Sequence, residues 1–265
     1  MKDKKIAIIG CGNLGLTIAH GLLDDGFNAG NMIATRRNTK ALSHLSDKGV
    51  VVTSINTEAV EQADVIVLAV KPYNVKPILI EIKDVLDSNR QTLVCLATGI
   101  TLNELEEWSG STLPIFRAMP NTAADVNESM TMICDNGATD EQRKSITSLF
   151  DKIGTTLYID ENLMEAATIL GACGIAYVLR FMRAMIQGGI EVGFDAKTAT
   201  AIVSQTMKGA SELIIQNGTH PESEIDKVTT PKGCTITGLN EMEHAGFSSA
   251  LIKGIVASYK KIERQ

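Results

Sequence analysis

The sequence predicts a doubly wound parallel α/β domain over residues 1–160, followed by an all-helical domain over 161–265. Three observations carry this. Continuous apolar, β-branched runs recur at 6–10, 31–35, 50–53, 64–70, 92–98 and 113–119, the pattern of strands buried on both faces. Helical stretches fall between them, as in a sheet wound by strand–helix repeats. Beyond Leu163 no strand-like run remains, while helical patterns cover 163–192, 195–217 and 247–263, with a shorter one after Cys234.

Each element has a local reason. IAIIG (6–10) leads into a helical pattern ending near Leu23, and NMIAT (31–35) into a polar helical stretch from Ala41 to Lys48. VVVT (50–53) precedes a helix at 56–63, which precedes DVIVLAV (64–70). TLVCLAT (92–98) is followed by Thr101 and Glu104, spaced as a capping box, and then by LPIFRAM (113–119). In the helical half, Ile175, Val178, Leu179, Met182, Met185 and Ile186 form an apolar face too broad for one helix to keep in water. Such a face predicts helices that pack between subunits as well as within one.

The 265-residue chain has 44% hydrophobic and 21% charged residues, as in an ordinary soluble protein. A net charge of −6 disfavours nucleic acid or an anionic membrane as a partner, while leaving room for a local basic pocket. Cys11, Cys95, Cys134, Cys173 and Cys234 are scattered singly, as are His20, His44, His220 and His244. No spacing suits a metal, and an odd cysteine count fits reduced thiols in a cytoplasm. Lys2, Lys4 and Lys5 precede an apolar run that ends by Gly10, too short for a signal core or a membrane span. The expected setting is cytoplasmic.

GCGNLG (10–15) stands between the first strand and the first helix, as a Rossmann-type dinucleotide site requires. Gly10 permits the tight turn, Gly12 the close approach of a pyrophosphate, and Gly15 tight helix packing, with Asn13 and Leu14 opening the helix. A helix start of this kind attracts an anion. The second strand ends in Thr35-Arg36-Arg37, with no acid to meet a ribose 2′-hydroxyl. Two guanidinium groups suit a 2′-phosphate, so the expected cofactor is NADPH, with NADH possible and weaker. The alternative for these arginines is a solvated basic turn.

Three further segments complete a pattern: AVKP (69–72), RAMPNT (117–122) and VTTPKGCTITGL (228–239). With the glycine loop and the arginine turn they resemble the Δ1-pyrroline-5-carboxylate reductase family nearly end to end. That resemblance implies hydride transfer from NAD(P)H to a cyclic imine, giving proline. It places Ala69, Lys71, Pro72, Ala97, Met119, Pro120 and Asn121 along the cofactor, and Asn56 near the adenosine ribose. It further implies a substrate loop of Thr230, Lys232, Gly233, Cys234 and Thr235 heading a helix, with the Thr235 hydroxyl near the imine nitrogen. On the residues alone, Thr235 equally reads as a helix cap or first-turn residue. The resemblance and the apolar helical half together imply a homodimer or a ring of dimers.

Departures gather on the substrate side. Lys232 stands where the family usually has glycine, and GACGIAY (171–177) stands for a usual S-G-S-x-P-A-Y. Thr122-Ala123 follow M-P-N, where a proline is usual in the second place. A related imine reductase, a β-hydroxyacid-type dehydrogenase and a non-catalytic NADP-binding sensor remain as alternatives. The lysine of the second is absent from GACGIAYVLRFM (171–182).

Overall fold

The computed structural model describes residues 4–262. One eight-stranded sheet has the order β3-β2-β1-β4-β5-β6-β7-β8. Its strands are β1 (Ile6–Ile9), β2 (Met32–Thr35), β3 (Val51–Thr53), β4 (Val65–Leu68), β5 (Thr92–Cys95), β6 (Ile115–Met119), β7 (Ser129–Asp135) and β8 (Gly154–Tyr158). β1 to β6 run parallel, so their carboxyl ends share one edge. This is the doubly wound arrangement, with both sheet faces covered.

The burial explains the unbroken apolar strands. Ile6 and Ile8 of β1 face one layer with Ile18 and Leu22 of helix α1 (Asn13–Asp24). Ala7 and Ile9 face the other, with Ala59 and Val60 of α3 (Asn56–Gln62), Val75 and Leu79 of α4 (Pro72–Ile82) and Leu105 of α5 (Leu102–Ser109). A short α2 (Ser43–Ser46) links β2 to β3. Alternate side chains thus meet different helix layers, so a polar residue on a central strand needs a partner within the fold. Thr101 accepts from the Glu104 amide while Glu104 accepts from the Thr101 amide, completing the capping box at α5.

The sheet is not parallel throughout. β7 pairs antiparallel with β6, and β8 then pairs parallel with β7 through α6 (Asp140–Phe150). The β6–β7 link is a short 3₁₀ turn, Thr122–Val126, too short for the crossover a parallel partner needs.

Contacts group the described residues into two compact units, 4–173 with 259–262, and 174–258. Residues 161–173 therefore group with the sheet. The pattern at 163–192 resolves into α7 (Met164–Ala167), a π-helical segment at Thr168–Cys173, and α8 (Gly174–Glu191). Local bonding accounts for the wide turn: Thr168 Oγ1 bonds back to the Met164 carbonyl at 2.8 Å, and the Gly171 carbonyl accepts from Asn121 Nδ2 at 3.0 Å. At Gly171 an added Cβ would lie 2.5 Å from Met132 Cε, so a side chain there would require the methionine tip to move.

The second unit holds α8, α9 (Ala196–Asn217), α10 (Pro221–Lys227), α11 (Cys234–His244) and most of α12 (Phe247–Ile262). α10 has no apolar periodicity and was not expected; His220 caps it and Pro221 opens it. The expected end of the last helix at 263 lies outside the described residues. Within this unit Ala199 and Val203 are buried, while Leu179, Ile202, Ile215 and Ile252 stand exposed. An apolar surface of this kind is unusual for a solitary soluble unit.

Candidate active site

The glycine loop is shaped by its neighbours. Gly10 has φ +86°, and a Cβ there would lie 2.2 Å from Val70 Cγ1, so only glycine makes this turn. At Gly15 an added Cβ would sit 3.0 Å from the Gly10 carbonyl and 3.3 Å from Ala69 Cβ. The glycine loop and the AVKP turn are therefore in contact. Gly12 is different: an added Cβ would meet nothing within 4 Å. Open space faces Gly12, which is also the N-cap of α1, without a side-chain cap or an acid in the first turn. The amides of Asn13, Leu14 and Gly15 precede the first intrahelical bond, so this helix end suits an anion. A dinucleotide pyrophosphate fits a cradle left open at Gly12 and closed at Gly10 and Gly15.

The end of β2 is tied to the same loop. The Gly10 and Cys11 amides donate to the Thr35 carbonyl at 3.2 and 2.8 Å. Gly10 N–H also reaches Thr35 Oγ1 at 3.2 Å, and that hydroxyl donates to Asn56 Oδ1 at 2.8 Å. Asn56 Nδ2 in turn donates to Glu81 Oε2 at 3.1 Å. Arg36 is half-buried and donates from Nη1 to the Cys11 carbonyl at 3.2 Å, while Arg37 is exposed. The two arginines thus differ: Arg36 braces the glycine loop, and Arg37 is exposed to solvent.

Lys71 caps α4 with Pro72 at its first position, and both are exposed. A lysine at the positive end of a helix is unfavourable by itself and becomes favourable once an anion joins it. Ala97 and Met119 are buried at the ends of β5 and β6, where Thr98 Oγ1 contacts Met119 Sδ at 3.9 Å. Pro120 is buried beside them. The Asn121 side chain is committed to backbone instead: Oδ1 accepts from the Ala123 amide at 2.9 Å, and Nδ2 holds Gly171. All these residues lie on the carboxyl edge of the parallel strands, where ligands bind in sheets of this type.

Beneath this edge lies a buried ionic group. Arg117, 3% exposed on β6, donates to Glu161 Oε1 at 3.1 Å and Glu165 Oε1 at 2.7 Å. Burial opposes its charge, but the two carboxylates outweigh that and raise its pKa further. Glu161 also accepts from the Leu102 amide at 2.7 Å. An arginine inside the apolar run LPIFRAM was the signal for such partners. Burial disfavours the thiolate at three cysteines of this unit, pushing Cys11 up to about 12, and Cys95 and Cys134 up to about 11.

In the second unit, Pro231 and Lys232 form a turn closed by Gly233 N–H to the Thr230 carbonyl at 2.9 Å. Lys232 takes φ +61°, the left-handed position of a type II turn that normally holds glycine. Gly233 then caps α11, again without a side-chain cap, and its added Cβ would lie 2.6 Å from Thr230 Oγ1. Exposed Cys234 and half-buried Thr235 are the first two helical residues, so Thr235 is not the cap. Lys232→Gly relieves the strain and is expected to stabilise the protein by about 0.5 to 1 kcal/mol after the entropy of the freer unfolded chain is included. An unchanged or lower midpoint in urea would show that the turn carries no strain.

Comparison with known proteins agrees with this geometry. Residues 5–99 match the family described as "NADP oxidoreductase coenzyme F420-dependent", and residues 161–265 match "Pyrroline-5-carboxylate reductase dimerisation". The chain is 40% identical to pyrroline-5-carboxylate reductase 1 of Dictyostelium discoideum over 98% of its own length, spanning 49% of that relative. It is 38% identical to pyrroline-5-carboxylate reductase 2 of the same organism, covering 98% of this chain and 92% of the relative. A Plasmodium falciparum pyrroline carboxylate reductase solved with NADP bound superimposes with a TM-score of 0.88 at 27% identity, covering 100% of this chain and 98% of that one.

Glycine loop, open helix end and parallel carboxyl edge define a Rossmann-type, nicotinamide-dependent oxidoreductase with a helical C-terminal half. At 38% identity over nearly the whole of both chains, this chain belongs to the pyrroline-5-carboxylate reductase family, oxidoreductases that act on a C=N bond.

Proposed function

We propose that the chain reduces 1-pyrroline-5-carboxylate to L-proline with NADPH, using NADH less well. The observation that carries this reading is the uncapped N-terminus of α11. It offers the Cys234, Thr235 and Ile236 amides to a carboxylate, in a chain whose first helix offers the same to a pyrophosphate. Gly10, Gly12, Asn13, Leu14 and Gly15 hold the pyrophosphate, and Arg37 takes the 2′-phosphate while Arg36 fixes the loop. Ala69, Lys71, Pro72, Ala97, Met119 and Pro120 line the path to the nicotinamide, and Asn121 shapes it from behind. Bound NADPH supplies the hydride that reduces the imine carbon.

The substrate as iminium is already electrophilic, so the protein mainly positions it. Thr235 accepts a hydrogen bond from the imine N–H and orients the ring; Thr230, Lys232 and Gly233 shape the loop around the carboxylate. In the assay that tests this, purified protein oxidises NADPH on addition of pyrroline-5-carboxylate, and far faster than with 2-oxo or 3-oxo acids. Tight NADPH binding without turnover would replace this reading with that of a sensor.

The exposed apolar side chains of α8, α9 and α12 pair with a second copy, giving a homodimer or a ring of dimers. The helical run 161–191 is long and apolar enough to cross a membrane, with mean hydropathy 1.6. Its first turns speak against that: Glu161 and Glu165 pair with buried Arg117, and Met164, Thr168 and Ile169 are buried. A cytoplasmic enzyme without nucleic-acid or membrane partners fits the charge and the unpaired thiols.

A further inference from the structure

We propose that Glu81 sets the balance between NADPH and NADH, by bringing from α4 the carboxylate that the end of β2 lacks. This rests on the dinucleotide reading above. In such folds the adenosine ribose lies beside the end of the second strand, where an acid favours a 2′-hydroxyl and a cation a 2′-phosphate. Here that strand ends at Thr35, followed by two arginines. Glu81 is far along the chain, yet two hydrogen bonds connect it to Thr35. Thr35 Oγ1 donates to Asn56 Oδ1 at 2.8 Å, and Asn56 Nδ2 spans both Glu81 oxygens at 3.3 and 3.1 Å.

Beginning at Gly10 N–H, every donor in this chain points the same way, and the last acceptor is a carboxylate. A one-way series ending on a negative charge is mutually polarised. Glu81 therefore does two things. It fixes the Asn56 amide, and through Thr35 it fixes the Gly10 turn. It also holds negative charge against Asn56, one residue contact from the end of β2, where it repels a 2′-phosphate that the arginines attract while tolerating the hydroxyl of NADH.

The two effects separate by substitution, because Glu81 is exposed and its replacement leaves the core intact. Glu81→Gln retains an acceptor for Asn56 and removes the charge; Glu81→Ala removes both. Dissociation constants for NADPH and NADH are measured by fluorescence titration at low ionic strength on the wild type and both variants. Glu81→Gln is expected to tighten NADPH about three- to tenfold and leave NADH within about twofold, a difference that shrinks as salt is added. Glu81→Ala is expected to weaken NADH, because Asn56 and the Gly10 turn lose their anchor. A Glu81→Gln protein with an unmoved NADPH-to-NADH ratio overturns the proposal alone. A wild type that binds neither nucleotide overturns both it and the dinucleotide reading.

Discussion

Thr235→Ala is expected to lower turnover with NADPH and pyrroline-5-carboxylate about 100-fold, a usual loss for a positioned proton-handling or hydrogen-bonding group, with NADPH affinity unchanged. The position makes the test clean. A threonine cap replaced by alanine costs about 1 kcal/mol of stability, but the cap of α11 is Gly233 and makes no side-chain bond. Thr235 is the second residue of the helix, and its hydroxyl can be removed without opening the first turn. Stability measured by urea unfolding is therefore expected to stay within about 0.5 kcal/mol of wild type. Thr235→Ser retains the hydroxyl and is expected to recover most of the turnover. If Thr235→Ala turns over normally, the residue is part of the helix start and nothing more, and the imine nitrogen is oriented by the loop backbone.

Where the physical cause is local, the sequence was readable. The glycine loop, the Thr101–Glu104 capping box and the β-branched strands each follow from residues within one or two turns of one another. Where the cause lies across the fold, it was not. The antiparallel β7 depends on the short link after Pro120, and the π-helical segment on Asn121 and Met132 meeting Gly171. Arg117 is bound by Glu161 and Glu165, more than forty positions away on other elements, which no local pattern around LPIFRAM specifies.

The same distinction runs through the site. Spacing alone gives Gly10, Gly12 and Gly15 their roles, and their surroundings separate one open glycine from two closed ones. The family resemblance places Asn121 along the cofactor, and both ends of its side-chain amide hold backbone, a feature that only the tertiary partners reveal. Thr35 and Glu81 carried no sequence signal at all. A threonine ending a strand and a glutamate on a helix are ordinary, and what distinguishes them is Asn56 standing between them. Lys232 was visible as a departure from glycine, but its left-handed backbone was not.

Arg37→Ala is expected to weaken NADPH binding about ten- to a hundredfold, as when charge-assisted hydrogen bonds to an ionised partner are lost, while NADH binding changes less than about twofold. Arg36→Ala has a different expected pattern. Arg36 is half-buried and holds the Cys11 carbonyl at 3.2 Å, so its loss loosens the loop that both nucleotides share, and both weaken together. Arg37 follows Arg36 at the end of β2 and is exposed, so its charge is available to a 2′-phosphate. Fluorescence titration of both variants with both nucleotides checks this, and salt gives a second reading. Wild-type affinity for NADPH is expected to fall faster with ionic strength than that for NADH, because exposed charges are screened over about 10 Å at 0.1 M; in Arg37→Ala that difference narrows. Equal losses for NADPH and NADH in Arg37→Ala would mean that the end of β2 does not read the 2′-phosphate, and the cofactor preference would then have to arise elsewhere on the carboxyl edge.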